Sequence, residues 1–396
     1  MGAQNLYDLS PAVRLMIMGL AVALGPLAWV WVRNKKAPMA KRLRVLTLVT
    51  LFLTFDLVIF GAFTRLTDSG LGCPDWPGCY GNASPVGAQQ HIDAAQSAMP
   101  TGPVTHSKAW IEMIHRYLAT GVGVLILTLT LLTWMALRQD RRGAKSDDAG
   151  VRTIVSLWWP GVTLLWVCLQ GAFGALTVTM KLFPAIVTLH LLGGMALLSL
   201  LRAQSVLQAQ MNENSRAAIV SIGVRRFVIA SFALVWLQIA LGGWVSTNYA
   251  VLACTDFPAC QKSLWPAMDF RQGFTLWREL GAGHDGTNIS FEALTAIHYA
   301  HRLAAYLVVA VLMALAIRLQ RVPALRTQAW WLAGLTLLQA ATGLINVVLG
   351  WPLMAAVAHT GGAAALVVVL TGIVLSSRSM PVQARVAKHS ASRLSV

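Results

Sequence analysis

Charged side chains are scarce in this sequence, and acidic ones are scarcer than basic ones. Only 12% of the 396 residues are Asp, Glu, Lys or Arg, with 15 acidic residues against 31 basic ones. A soluble globular chain carries about 25% charged residues. Half that density cannot cover a water-facing surface, so a soluble enzyme, a disordered protein and a nucleic-acid-binding protein all fit poorly, and we expect no nucleic-acid partner. With 56% hydrophobic residues, the composition indicates a protein of the lipid bilayer.

Long hydrophobic runs predict the fold class. A membrane-spanning helix needs about 20 mostly apolar residues, and nine segments reach that length. The first is followed, rather than preceded, by a basic cluster, which is the charge order of a membrane anchor and not of a cleaved signal peptide. The sequence predicts an all-α polytopic membrane protein with spans at 12–32, 45–64, 112–137, 155–178, 185–203, 227–247, 294–317, 329–349 and 354–376.

Basic residues fall mostly in alternate connections between the spans. They are concentrated after the first, third, fifth and seventh spans and in the C-terminal tail. Cytoplasmic loops of membrane proteins carry this excess of Lys and Arg. We therefore predict a protein of the cell inner (plasma) membrane with a cytoplasmic C-terminus. Its N-terminus and the long loops 65–111 and 248–293 would face the periplasm.

The chain contains an internal repeat. The segment CPDWPGC at 73–79 recurs as CTDFPAC at 254–260, and each follows a span that ends in a glycine, taken here as Gly61 and Gly243. Two further patterns recur in the second half: His115-Arg116 as His301-Arg302, and Leu169-Gln170 with His190 as Leu338-Gln339 with His359. Because four helices make an even number, both units enter the membrane in the same direction and are related by a pseudo-twofold axis along the membrane normal.

The repeat sets the predicted domain organisation. We expect two pseudosymmetric four-helix bundles plus one extra N-terminal transmembrane helix. The predicted parts are an anchor with a basic linker (1–44), an N-terminal four-helix unit (45–205), a cytoplasmic linker (206–226), a C-terminal four-helix unit (227–376) and a cytoplasmic basic tail (377–396).

Four histidines lie close to the outward ends of spans, on the second and fourth helices of each unit. Ionisable groups inside a membrane are costly and usually functional. Two imidazoles at similar depth in a four-helix bundle suit axial ligation of a heme iron. A zinc site is the competing interpretation, but it needs three or four converging ligands, and each unit offers two histidines. The predicted pairs are His115 with His190 and His301 with His359.

Charged residues flank the first histidine of each pair. Arg116 and Arg302 are candidates for binding heme propionates, because guanidinium groups bind carboxylates bidentately; the alternative is that they extend to lipid headgroups. Glu112 lies three residues before His115, and the matching position in the second half holds His298. A buried acid beside a heme edge suits proton handling or stabilisation of a cation. The alternative is a solvated acid at a helix start.

The remaining polar residues in spans have less certain roles. Asp56 lies in the second span, with Gln238 taken as its repeat position, and serves either helix packing or a proton path. His298 is either an additional candidate ligand of the heme iron or a residue that supports one of the ligands. Cys168, in the middle of a span, is expected to be a packing residue.

The other four cysteines lie in the two outward loops, where disulfides form. We predict bridges Cys73–Cys79 and Cys254–Cys260, each enclosing five residues. Thiol exchange with a redox partner is the alternative, because a short exposed disulfide can be labile.

These motifs resemble those of the heme A synthase family. The resemblance covers about residues 45–376 and rests on GLGCPDWPGC at 70–79, EMIHR at 112–116, the Leu169-Gln-Gly span with His190, and their second-half counterparts. It implies an eight-helix pseudosymmetric core. The chain departs from the family pattern in its ninth, N-terminal span and in the long first outer loop, 81–109.

The resemblance also implies an activity. It implies oxidation of the C8 methyl group of heme O to a formyl group, giving heme A for terminal oxidases. Heme O would bind at His115 and His190, the cofactor heme B would bind at His301 and His359, and Glu112 would be catalytic. Heme O synthase and terminal oxidase assembly factors are the implied partners; a homo-oligomer stays open.

Three other functions compete with this one. A diheme b-type cytochrome, such as a quinol dehydrogenase anchor, accounts for the histidines but not for the one-sided Glu112 or the cysteine loops. A DsbB-like thiol oxidoreductase accounts for the cysteines alone. A transporter or heme chaperone would use the same ligands without turnover.

Overall fold

The computed structural model of the protein describes residues 10–143, 156–212, 217–283 and 287–379. Within these ranges, α-helices make up nearly all of the regular structure. The helices are α1 (Ser10–Arg33), α2 (Met39–Leu66), α3 (Gln89–Ala98), α4 (His106–Gly143), α5 (Trp158–Thr179), α6 (Pro184–Asn212), α7 (Ile222–Thr247), α8 (Phe270–Gly273), α9 (Phe291–Gln320), α10 (Arg326–Val348) and α11 (Leu353–Ser376).

In the part of the chain that the structure describes, nine helices are long and apolar enough to cross a membrane. They coincide with the nine predicted spans, so the prediction of an all-α multi-pass membrane protein is confirmed. Several helices run past the predicted ends; α4 begins at His106 rather than at 112, and α6 continues to Asn212 rather than stopping at 203. The reason is that an apolar run marks only the part of a helix in contact with lipid, whereas polar turns extend beyond it.

The long helices pack as two rings of four. In the first ring α2 packs against α4 and α6, and α5 closes the ring between them. In the second ring α7 packs against α9 and α11, and α10 closes it in the same way. The rings meet where α11 contacts α2 and α6, and where α6 contacts α7. This arrangement is the predicted pair of four-helix bundles, and buried Leu, Ile and Val side chains from both rings form one continuous core.

Helix α1 lies outside the repeat and docks on the N-terminal bundle. It packs mainly against α4. A Cβ added to Gly121 would lie 2.9 Å from Cγ1 of Val22, and Gly19 approaches Thr120 still more closely. Small residues at a helix crossing let two backbones approach closely, which is how membrane helices gain packing energy. The extra span is therefore an integral part of the N-terminal unit.

The segment predicted as a linker between the units is partly structured. Helix α6 runs past residue 205 to Asn212, and a strand, β1 (Ala218–Val220), precedes α7. It pairs in parallel with β2 (Ser377–Ser379), which follows α11. Most of the predicted basic tail, from residue 380 onward, lies outside the described residues. The short strands join the start of the second unit to its end.

Candidate functional site

Each of the four histidines packs against a glycine on a neighbouring helix. A Cβ added to the glycine would lie 2.9–3.4 Å from Cε1 of the imidazole; the contact is tightest at Gly242, where an added Cβ would force a shift. The glycines lie on the first and third helices of each bundle and the histidines on the second and fourth. The pairs are Gly61 with His115, Gly174 with His190, Gly242 with His301 and Gly343 with His359.

These contacts correct the repeat alignment. The glycine that faces His301 is Gly242, not Gly243; Gly243 instead packs against Thr188 and Leu191 of α6. Gly61 and Gly242 are then related by the same offset as Cys73 and Cys254. With this offset Gln238 corresponds to Leu57, so the proposed correspondence of Gln238 with Asp56 is wrong.

A second glycine contact accounts for the repeated Leu-Gln pair. The side-chain amide of Gln170 packs directly on Gly193, and that of Gln339 packs on Gly362. Both glycines lie one turn after a histidine, His190 or His359. Sequence reasoning missed Gly193 and Gly362, although they share the offset that relates the two histidines. The buried Nε2 of Gln339 has no hydrogen-bond partner among the described residues.

The histidine pairs fit heme better than zinc. His115 and His190 lie within range of electrostatic interaction, as do His301 and His359. Among the residues that the structure describes, no group of three or more His, Cys, Asp or Glu converges in a way that could hold a metal ion. Two imidazoles on two helices of one bundle suit axial ligation of a heme iron.

The two histidine pairs differ in the hydrogen-bond partners of Nδ1. In the C-terminal unit, Nδ1 of His301 lies 3.0 Å from the side-chain amide of Gln238, and Nδ1 of His359 lies 2.9 Å from the Thr342 hydroxyl. In the N-terminal unit, Nδ1 of His115 and Nδ1 of His190 are buried without a hydrogen-bond partner in the described structure. The two sites thus share geometry but not surroundings.

Both predicted disulfides are present, Cys73–Cys79 and Cys254–Cys260, with a Cα–Cα distance of 4.8 Å in each. The aspartate within each loop organises the turn that follows it. Asp75 accepts hydrogen bonds from the backbone N–H groups of Tyr80 and Gly81, at 2.6 and 2.8 Å.

Asp256 does the same in the second loop, at 2.8 Å from the backbone nitrogens of both Gln261 and Lys262. These N–H groups lower the pKa of Asp256 below its ordinary value. The repeated Asp is therefore explained by loop structure alone.

Arg116 and Arg302 bind the disulfide loops. Arg116 donates to the backbone carbonyls of Asp75 and Pro77, at 3.0 and 3.2 Å, and to that of Gly78. Both arginines are buried, at 8% and 7% exposure, so the alternative that they extend to lipid headgroups is wrong. Their role toward propionates stays a prediction.

Arg302 makes equivalent bonds in the second unit. It donates to the carbonyls of Asp256 and Ala259, at 3.0 and 2.8 Å, and to that of Cys254 at 3.3 Å. Each guanidinium thus joins the helix that carries the first histidine of a pair to the loop above it.

Glu112 is buried, with its side chain 5% exposed, so the alternative of a solvated helix-start acid is wrong. Its Oε2 accepts a hydrogen bond from the backbone N–H of Cys73 at 2.8 Å, and its Oε1 is ion-paired with Arg116. The spacing of four residues between Glu112 and Arg116 could have predicted this pair. At the matching position, Nδ1 of His298 donates to the carbonyl of Ala250 at 3.0 Å. A carboxylate is thus present in one half only.

Two other residues lie on the outer surface of their helices. Asp56 is exposed on α2, and Cys168 is exposed on α5. The expectation that Cys168 is a packing residue is therefore wrong, because mid-span position in a sequence does not tell a core-facing residue from a lipid-facing one.

Most of this chain is similar in sequence to known proteins. The model of the COX15-CtaA family, described as cytochrome oxidase assembly protein, matches residues 44–371, which is most of the chain. The chain belongs to the COX15-CtaA family. The matched residues include both histidine pairs, both disulfide loops and Glu112, and leave out α1, the span that has no counterpart in the repeat.

Several known proteins are similar to this chain over nearly their whole length. Heme A synthase from Shewanella oneidensis is 36% identical over 332 residues, covering 82% of this chain and 93% of that protein. Heme A synthase from Rhizobium etli is 28% identical, covering 84% and 87%. Heme A synthase from Halalkalibacterium halodurans is 25% identical, covering 81% and 92%.

Proposed function

We propose that this protein is a heme A synthase, an oxidoreductase that converts the C8 methyl group of heme O to a formyl group and so supplies heme A to terminal oxidases. The observation that carries the proposal is a duplicated pair of glycine-backed histidines with a buried carboxylate beside one pair only. The relatives named heme A synthase support it.

The two units take different hemes in this proposal. His115 and His190 bind the substrate heme O, and His301 and His359 bind heme B. Heme B, when bound, supplies one-electron redox chemistry. The protein contributes the ligands, the glycine contacts with each ring and a buried environment.

Glu112 stabilises the charge that develops on the substrate. Two electrons leave the C8 methyl group of heme O with loss of a proton, and the resulting cation is captured by water to give a hydroxymethyl group. A second round gives a gem-diol, which loses water to become the aldehyde. A fixed carboxylate in a site of low dielectric stabilises such a cation more than water does. Arg116 and the Cys73 N–H hold Glu112 in place. The four electrons released per formyl group require an external electron acceptor. His301 and His359 would hold heme B, which would supply one-electron transfer toward that acceptor, and the Cys73–Cys79 disulfide is the alternative relay.

We also propose the location and partners. The protein lies in the cell inner membrane with its disulfide loops in the periplasm and its C-terminus in the cytoplasm. The concentration of basic residues on the opposite side from these loops supports this orientation. Heme O synthase and terminal oxidase assembly factors are the expected partners.

The test is heme analysis in bacterial cells that make heme O and lack their own heme A synthase. With this chain expressed, extraction and mass analysis should show heme A. Heme O alone, with the purified protein carrying histidine-ligated heme, would instead favour the diheme electron-transfer cytochrome. A DsbB-like enzyme would be indicated if a Cys73→Ser, Cys79→Ser variant lost all activity while a His190→Ala variant kept it.

A further inference from the structure

We propose that Gln238 and Thr342 are positioning residues that make the C-terminal histidine pair a permanent heme site. The apolar residues Leu57 and Phe173, at the corresponding positions, leave the N-terminal pair suited to exchange its heme. This inference rests on the proposed function, because a substrate site must release its product whereas a cofactor site must not.

The contact between Thr342 and His359 defines the state of the ring. Oγ1 of Thr342 donates its hydrogen to the backbone carbonyl of Leu338 at 2.8 Å. The same oxygen lies 2.9 Å from Nδ1 of His359, so toward the ring it acts as an acceptor. With the hydroxyl hydrogen directed to Leu338, we assign the ring proton to Nδ1, which leaves the lone pair of Nε2 free for iron.

Gln238 holds the other ring. Its side-chain amide donates to the backbone carbonyl of His301 at 3.1 Å and lies 3.0 Å from Nδ1 of the same residue. Its Oε1 is buried with no hydrogen-bond partner in the described part of the chain. The two contacts of the amide fix the orientation of the His301 ring.

The N-terminal unit lacks both side chains. Leu57 corresponds to Gln238 by the offset that relates Cys73 to Cys254, and Phe173 corresponds to Thr342 by the offset that relates His190 to His359. Consistent with this, Nδ1 of His115 and of His190 is buried and unpartnered within the described structure. Neither ring has a side chain that fixes which nitrogen carries the proton.

This difference has a known consequence for metal ligands. A ligating histidine usually donates its second N–H to a neighbouring acceptor, which orients the ring and raises its basicity. Loss of that acceptor typically costs about 10–100-fold in metal affinity. We therefore expect heme to leave the N-terminal pair far more readily than the C-terminal pair, which matches a site that takes in substrate and releases product.

The test measures heme retention, not turnover. Purified full-length Thr342→Val, Gln238→Leu and the double variant are mixed with excess apomyoglobin, and the loss of low-spin heme B is followed by visible spectroscopy. We expect each single variant to lose heme B about tenfold faster than the wild type, and the double variant faster still. Thr342→Ser, which keeps the hydroxyl group, should behave as wild type.

A matched control excludes a general packing effect. Thr336 is buried on the same helix, and its hydroxyl donates to Leu332 at 2.7 Å without contact to a histidine. Thr336→Val should leave heme B retention unchanged. Wild-type retention in the Val and Leu variants, or equal losses in Thr336→Val, would overturn the proposal. Because the readout is heme B release, absence of heme A synthesis by the wild type would contradict the proposed function separately.

Discussion

The backbone N–H of Cys73 donates to Oε2 of Glu112 at 2.8 Å, which ties the candidate catalytic acid directly to a disulfide loop. Arg116 bonds both Glu112 and the carbonyls of that loop. Acid, arginine and disulfide loop thus form one hydrogen-bonded unit above His115. In the second half Arg302 binds its loop in the same way, but no carboxylate of the described residues is hydrogen-bonded to it.

This difference predicts unequal effects of removing the two arginines. Arg116→Ala leaves a buried carboxylate without its ion-pair partner, at a cost of about 3 kcal/mol. Arg302→Ala loses bonds to carbonyl groups and an attraction to the Asp256 carboxylate, which backbone N–H groups still hold, so it should be the milder change. Thermal unfolding in detergent should show a larger loss of stability for Arg116→Ala, with partial recovery in Arg116→Ala, Glu112→Gln. Equal losses of thermal stability in Arg116→Ala and Arg302→Ala would show that the charge of Glu112 does not depend on Arg116.

The disulfides predict a simple labelling pattern. In the native protein without reductant, a maleimide should reach Cys168, a free thiol in mid-span, only after denaturation, because little thiolate forms in lipid. It should leave the four loop cysteines unmodified, because they are paired and buried. Mass spectrometry of the digested protein reads out each site. Ready labelling of one loop pair would identify that pair as redox-active.

The glycine behind His301 gives a third prediction. A Cβ on Gly242 would lie 2.9 Å from Cε1 of the imidazole, so Gly242→Ala should push the ring from its position and lower the heme B content of the purified protein. Gly223→Ala on the same helix is the matched control, because a Cβ there meets only the Ser221 hydroxyl at 4.0 Å. Visible spectra of both variants, normalised to protein, test this. Full heme B in Gly242→Ala would show that the glycine is not required for the site.

The fold was predictable from sequence to the extent that it depends on local patterns. Apolar runs locate the spans, and constant offsets between Cys, His and Gln residues reveal the duplication. The bonding of Asp75 and Arg116 was not predictable, because it depends on how a loop closes over a helix distant in the chain. The choice between Gly242 and Gly243 depends on helix rotation, which an unbroken apolar run does not define.

The histidines of the C-terminal unit give a further prediction. Six-coordinate low-spin iron needs both axial nitrogens, so His301→Ala and His359→Ala should each lose the tightly held heme B. Optical spectra of the purified variants provide the measurement. If both variants kept full heme B content, the cofactor would have to be assigned to the N-terminal unit.

Heme extraction from cells that express Glu112→Gln tests the central claim most directly. The glutamine keeps the shape of the side chain but removes its charge, so the variant should insert and bind heme normally. Loss of charge stabilisation in the transition state costs about 3 kcal/mol, and each 1.36 kcal/mol is tenfold in rate, so heme A should fall about a hundredfold while heme O or its hydroxylated form accumulates. Glu292→Gln, an exposed acid at the start of α9, is the control and should make heme A normally. Near-normal heme A from Glu112→Gln, at equal protein level, would contradict the account and remove Glu112 from catalysis.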